Sequence, residues 1–194
     1  MRKRNLCVFA VFTLASMMSS VRAARAAEDE CAGTRLTANL VAENDSGVTG
    51  KALLCITDAG VEARIHASAL TTGNAYTMWF IYFDNPSKCV TPGSCSDLDA
   101  FTPTDDPEGV FGRFDSIVAH ARSATFSGHG GLHLSSGSVV SLEIVAHGVP
   151  SEDGKHRARQ LLTPQIPVLG APGLGTSVDG TVGNPVAAAQ FILP

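Results

Sequence analysis

Basic residues are scarce in this sequence once its first 26 positions are set aside. Five of its 14 Lys and Arg residues lie there, whereas all 18 Asp and Glu residues come later. This leaves nine basic residues and a formal net charge of −9 from residue 27 onward. Because an acidic surface repels phosphate groups, we expect no nucleic-acid partner and no electrostatic docking on anionic lipid.

Long apolar runs are also absent after the N-terminus, so no later segment is expected to span a bilayer. The first 26 residues are typical of a secretory signal peptide, with a basic "MRKRN", an apolar "LCVFAVFTLASMM" and a small-x-small "ARA" before Ala27. This pattern predicts cleavage near Ala26. The product would be secreted or periplasmic and would not insert into the membrane. A short N-terminal membrane anchor is the alternative.

Four cysteines follow the predicted cleavage site, and an even number in an oxidising compartment predicts disulfide bonds. Three pairings of Cys31, Cys55, Cys89 and Cys95 can be drawn. Cys89 and Cys95 enclose the turn "VTPGS", which favours a local bridge and leaves Cys31 with Cys55. A cysteine-based metal site is the alternative, but it lacks a close C-x-x-C pair.

Helix signals are weak, because the chain contains 19 Gly and 10 Pro and shows no sustained 3.6-residue hydrophobic period. Alternating segments bounded by turns indicate strands instead: "TRLTANLV", "KALLCIT", "VEARIHASAL", "DSIVAHAR", "ATFSG", "SVVSLEIVAHG" and "VAAAQFIL". We predict an all-β fold, an antiparallel Greek-key-like β-sandwich, as one domain over residues 27–194. Two long loops are expected, at residues 84–109 and 148–185, the second Pro/Gly-rich and preceding a closing strand.

The strand "YTMWFIYF" at residues 76–83 is apolar on both faces, whereas an ordinary sandwich strand has one dry face. Either the protein's own loops cover the second face, or the strand forms a binding surface. Large exposed apolar patches usually mark recognition sites. The candidate binding surface consists of Tyr76, Trp79, Phe80 and Tyr82.

Three segments, "AYTMWFIYFDNPSKC", "IVAHG" and "AAAQFIL", together resemble those of a group of small secreted bacterial proteins of unknown function. The resemblance covers most of the chain after the predicted signal peptide. Its most specific part is the aromatic strand that leads into Cys89. It implies a secreted, β-rich domain and no particular activity, so no functional residue is carried over from it.

Histidines are the residues of this chain best suited to hold a metal. His66, His120 and His147 fall on the outward, polar side of predicted strands. Glu143 points to the same side of its strand as His147. If these strands were neighbours in one sheet, the imidazoles and the carboxylate would suit zinc or copper. The alternative is that all four side chains are solvated on outer faces, and no other cofactor is predicted.

Three further clusters have both a functional and a structural interpretation. His129 and His133 form H-x-x-x-H among glycines, which is either a metal-binding pair or a tight turn. The basic segment "KHRAR" at residues 155–159 either meets a partner or is solvated. An acidic loop is either a calcium site without the EF-hand pattern or a solvated loop; it contains Asp97, Asp99, Asp105, Asp106 and Glu108.

Catalytic sequence motifs are missing, since the chain has no G-x-S-x-G, no P-loop and no dinucleotide fingerprint. The sequence therefore favours an exported, non-enzymatic binding or structural domain whose partner is a protein or a small ligand. The alternative is a periplasmic metal-binding protein or metalloenzyme that uses the outward histidines.

Overall fold

The computed structural model describes residues 31–92, 95, 99, 109–154 and 184–194. The predicted signal peptide, the segment "KHRAR", and the residues Asp97, Asp105, Asp106 and Glu108 lie outside the described residues. The described part of the chain forms nine strands and one short 3-10 helix, Pro86–Lys88. The strands are β1 Thr34–Asn39, β2 Val41–Ala42, β3 Thr49–Thr57, β4 Gly60–Ser68, β5 Ala75–Phe83, β6 Gly109–Val118, β7 Ser123–Gly130, β8 Val139–Gly148 and β9 Asn184–Ile192.

The strands form two antiparallel sheets, with the orders β1-β3-β4-β7 and β2-β9-β8-β5-β6. β5 and β6 belong to the five-stranded sheet although β4 and β7, which flank them in sequence, pair in the four-stranded sheet. The chain also passes from one sheet to the other at Leu40, between β1 and β2. These crossings confirm the predicted all-β sandwich with Greek-key character. No helix among the described residues is long and apolar enough to cross a membrane.

The core between the sheets follows the alternation of the sequence. Every second residue of β4, from Val61 to Ala67, is buried there, and the side chains between them point away. Val140, Leu142 and Ile144 of β8 belong to the same core cluster. Burying a side chain of this size contributes roughly 1.5–3 kcal/mol, so this period-2 pattern fixes which face of each strand turns inward.

The bounds of one predicted strand and the position of one predicted turn are wrong. The first four residues of "DSIVAHAR" belong to β6 as predicted, but the strand begins earlier, at Gly109, and ends at Val118. The residues after Val118 turn towards β7, so His120 does not lie on a strand. The segment "GHGG" was expected to turn, but β7 continues through Gly130, because its backbone pairs with β4 up to Val61.

A bulge in β6 places Phe114 against the core. Met78 is paired with Asp115 and Trp79 with Arg113, so Phe114 is the extra residue. Its ring stacks on that of Phe80, with centroids 4.7 Å apart and planes 10° from parallel. Gly128 of β7 makes room for this ring, because a Cβ atom there would lie 2.5 Å from the Phe114 Cβ.

We expect Gly128→Ala to lower the free energy of unfolding by about 1–3 kcal/mol, because the added methyl group overpacks the site of Phe114. Urea unfolding measures the change. Gly131→Ala is the matched control, since a Cβ atom at Gly131 would meet nothing within 4 Å. Equal stabilities of the two variants would contradict the close packing of β7 on Phe114.

The chain contains disulfide bonds, as predicted. Cys89 is bonded to Cys95, with Cα atoms 5.3 Å apart. Cys31 and Cys55 are also disulfide-bonded. Two such bonds are typical of an oxidising, extracellular environment.

The bridge between Cys89 and Cys95 packs on the outer face of the five-stranded sheet. Its two cysteines form a second apolar cluster with Ile81 and Phe83 of β5 and Val139 of β8. The Gln190 side-chain amide donates a hydrogen bond to the Cys95 carbonyl oxygen. The loop is therefore fastened both to β5 and β8 and to the neighbouring strand β9.

Replacing both Cys89 and Cys95 by serine should lower the free energy of unfolding by about 2 kcal/mol, because the bond closes a short loop. The rate of protease cleavage within residues 84–92 should increase by a larger factor than the rate of global unfolding. Limited proteolysis followed by peptide mapping measures this. Val90→Ser, an exposed change in the same loop, is the control. Unchanged cleavage within these residues would contradict a local role for the bond.

Candidate functional site

The aromatic strand β5 is buried on both faces. Tyr82 is its most exposed aromatic side chain, at 7%. Tyr76, Phe80 and Tyr82 face the core between the sheets, whereas Trp79 faces the other side of the sheet. The interpretation of Tyr76, Trp79, Phe80 and Tyr82 as an exposed binding surface is therefore wrong. Cys89 and Cys95 cover the second face over Ile81 and Phe83.

A buried polar cluster lies on that covered face. The Trp79 indole N–H donates to the Thr77 hydroxyl oxygen over 2.8 Å, and the same oxygen lies 2.8 Å from His147 Nε2. Glu143 is paired directly with Trp79 across the β5–β8 ladder. The exposed fractions of Glu143 and His147 are only 2% and 3%. Both were expected to face solvent, and that expectation is wrong because the second face of this sheet is covered.

The four predicted metal ligands do not form one site. His66 lies on β4, in the other sheet from Glu143 and His147. His120 is exposed in the turn between β6 and β7. Among the described residues there is no group of three or more His, Cys, Asp or Glu side chains placed to hold a metal. The predicted site required the strands to be neighbours, and the distribution of strands between two sheets separates them.

The Tyr82 hydroxyl makes two hydrogen bonds near the C-terminal end of β5. It donates to the Asp84 carboxylate over 2.6 Å and accepts from the Ser135 backbone N–H over 3.0 Å. The hydrogen bond from Tyr82, together with one from Ser135, holds the pKa of Asp84 below its usual range, although desolvation acts in the opposite direction. The two hydrogen bonds satisfy the Tyr82 hydroxyl and anchor this end of β5. Asp84 itself is exposed.

The outer face of the four-stranded sheet is, by contrast, exposed. Twelve of its outward positions form the three rows that cross all four strands β1, β3, β4 and β7, and we call these twelve the open face. Nine of the twelve side chains are exposed, while Leu53 and Arg64 are half-buried and Cys55 is buried. The rows are Arg35–Cys55–Glu62–His129, Thr37–Leu53–Arg64–Ser127 and Asn39–Lys51–His66–Thr125.

The open face is locally basic on an acidic chain. Arg35, Lys51 and Arg64 are three of the six Lys and Arg residues that the structure describes. Glu62 is the one acidic side chain on this face, out of ten Asp and Glu residues in the described ranges. Asp58 stands in the β3–β4 turn at the Glu62 end. Positive charge therefore prevails towards the opposite end, around Lys51 and Arg64.

The remaining side chains of the open face are mostly hydroxyls, amides and imidazoles. His66 Nδ1 lies 3.2 Å from the Thr125 hydroxyl, its neighbour across the β4–β7 ladder. His129 stands opposite Glu62, whereas His133 is exposed in the connection to β8. The face thus offers an array of hydrogen-bond donors on a rigid sheet, with one half-buried apolar side chain, Leu53, within it.

The sequence contained a signal for part of this face. Alternation on β4 already places Glu62, Arg64 and His66 together on an outward side. β3 and β4 follow each other closely enough for a hairpin, which brings Lys51 opposite His66. The contribution of β1 and β7 depends on non-local pairing, which no local pattern predicts.

Comparisons with known proteins give no assignment. No protein-family model matches the chain, no curated protein matches it, and no solved structure matches it. The open face and the covered polar cluster therefore have to be interpreted from their own chemistry.

Proposed function

We propose that this chain is an exported β-sandwich domain that binds a ligand through its open face and acts without catalysing a reaction. The observation that carries the proposal is the contrast between the two outer faces. One is covered by the protein's own chain, and the other exposes basic and hydrogen-bonding side chains. A face that is left uncovered and locally basic on an acidic protein is a recognition surface with its own charge preference.

Export is supported by the leader-like N-terminus and by the two disulfide bonds, which persist in oxidising compartments. Binding, as opposed to chemistry, is supported by where the candidate chemical groups lie. Glu143 and His147 are buried beneath the covered face, and His120 stands apart in a turn. His66 belongs to the open face and contacts a threonine hydroxyl.

The test compares two charge-matched variants of the full chain, produced in its native cell. The face variant carries Arg35→Gln and Lys51→Gln. The control variant carries Arg113→Gln and Arg122→Gln, which removes two exposed positive charges elsewhere. We expect all three proteins to be exported and cut near Ala26. The wild type and the control should be retained by the washed cell envelope or extracellular material, while the face variant is released.

N-terminal sequencing of the product and its partition between retained and released fractions are the two readouts. An uncut product that stays inside the cell would contradict export. Equal partition of the face and control variants would contradict binding through the open face. Circular dichroism of each purified variant establishes that the fold is intact before partition is compared.

A further inference from the structure

We infer that the ligand of the open face is an acidic polysaccharide, a chain of sugars that carries carboxylate groups. This inference rests on the proposed function, which leaves the class of ligand unstated. Its basis is charge complementarity. The described residues beyond this face carry nine acidic and three basic side chains, so an anionic ligand would be repelled by most of the protein and attracted by this face.

The spacing of the positive charges suits an extended polymer. Lys51 and Arg64 are diagonal neighbours across the β3–β4 ladder, with Cα atoms about 7–8 Å apart. Arg35 lies two strands away from Arg64, roughly 10 Å across the sheet. Charges separated in this way do not form one pocket for a single small anion. Each can meet a different carboxylate of a polymer that repeats its charge along its length.

The uncharged side chains between these cations suit the sugars themselves. Thr37, Asn39, Thr125 and Ser127 are exposed in the same rows and present hydroxyl and amide groups. Such groups both donate and accept hydrogen bonds, as sugar hydroxyls do. The sheet presents these groups in cross-strand rows, which an extended chain can follow.

Two other classes of macromolecule fit the open face less well. A protein interface has an apolar core enriched in Tyr, Trp, Phe, Met and Arg, whereas the twelve positions of this face contain two Arg and none of the other four. Single-stranded nucleic acid is held by aromatic side chains on which bases stack. Duplex nucleic acid carries about one negative charge per 1.7 Å of its axis, which is much closer than the spacing of the three cations on this face.

The experiment measures binding of the full chain, exported and purified, to three immobilised polymers: polygalacturonate, neutral dextran and duplex DNA. We expect binding to polygalacturonate and not to dextran. The face variant Arg35→Gln/Lys51→Gln should bind about tenfold more weakly, which corresponds to about 1.4 kcal/mol. The control Arg113→Gln/Arg122→Gln should stay within about twofold of wild type. Raising the salt from about 50 mM to about 500 mM should weaken binding by about tenfold or more.

Three results would overturn the inference: no binding to polygalacturonate at low salt, equal binding by the face and control variants, or DNA bound as tightly and lost in the same variant. Failure of the inference can be told apart from failure of the proposed function. If the face variant alone is released from the cell material while polygalacturonate is not bound, the ligand class is wrong and the binding face stands. If both variants are retained equally, the binding face itself is wrong.

Discussion

Phe80→Ala is expected to lower the free energy of unfolding by about 3–5 kcal/mol, the largest effect of a single substitution that we expect in this chain. Phe80 is fully buried in the core between the sheets and stacks on Phe114. Removing its ring leaves a cavity. It also removes the ring on which Phe114 stacks, and Phe114 lies close to Gly128 of β7. The loss therefore affects both sheets.

Urea unfolding followed by the fluorescence of Trp79, the single tryptophan, measures this change. Because the stability of a domain is typically about 5–15 kcal/mol, the alanine variant will unfold early, and Phe80→Leu supplies a milder step with a smaller expected loss. Ile192→Ala is the control, since Ile192 is an exposed apolar side chain of β9. Its stability should stay within about 0.5 kcal/mol of wild type. A comparable loss in the control and in Phe80→Ala would contradict the central position of Phe80.

Thr77→Val is expected to cost roughly 2–4 kcal/mol, although the two side chains have nearly the same shape. The Thr77 hydroxyl is contacted by the Trp79 indole N–H and by His147 Nε2, each at 2.8 Å and each within the protein. Valine would remove this hydrogen-bond partner from both side chains. Leaving a buried polar group without its hydrogen bond costs about 1–3 kcal/mol per group, which exceeds the usual effect of a single methyl group.

Thr77→Ser is the matched variant, because it keeps the hydroxyl and loses the methyl group. We expect it to lose about 1 kcal/mol. Urea unfolding of the two variants separates the polar contribution from the packing contribution. If serine were as destabilising as valine, the methyl group would matter more than the hydrogen bonds, and the polar cluster would not stabilise the covered face.

Much of the fold could be predicted because its causes are local. The alternation on β4 fixes which side chains enter the core, since a shift of one residue would turn all of them outward. The short spacing of Cys89 and Cys95 around a Pro-Gly turn favours a bridge that the structure contains. The end of β6 was misplaced because alternation continues past Val118 in the sequence, while the chain there has to turn towards the other sheet.

The candidate site could be predicted much less well. His147 and Glu143 have the alternation of outward residues, and only the cover on the second face of the five-stranded sheet makes them buried. The aromatic residues of β5 indicated that something lies on both faces, but a groove and the protein's own chain leave the same pattern. Only the tertiary structure distinguishes these two interpretations, because either one would remove the same apolar side chains from water.

The sequence by itself determined the all-β class, the inward face of each regular strand and the opportunity for disulfide bonds, because these depend on neighbours within a few residues. Only the tertiary structure decided that His66 and His147 lie in different sheets. It also decided that Trp79 is covered and that Arg35, Lys51 and Arg64 share one exposed face. The physical reason is that strand pairing and the covering of a face join residues far apart in the chain, and no local pattern of side chains specifies which of them will meet.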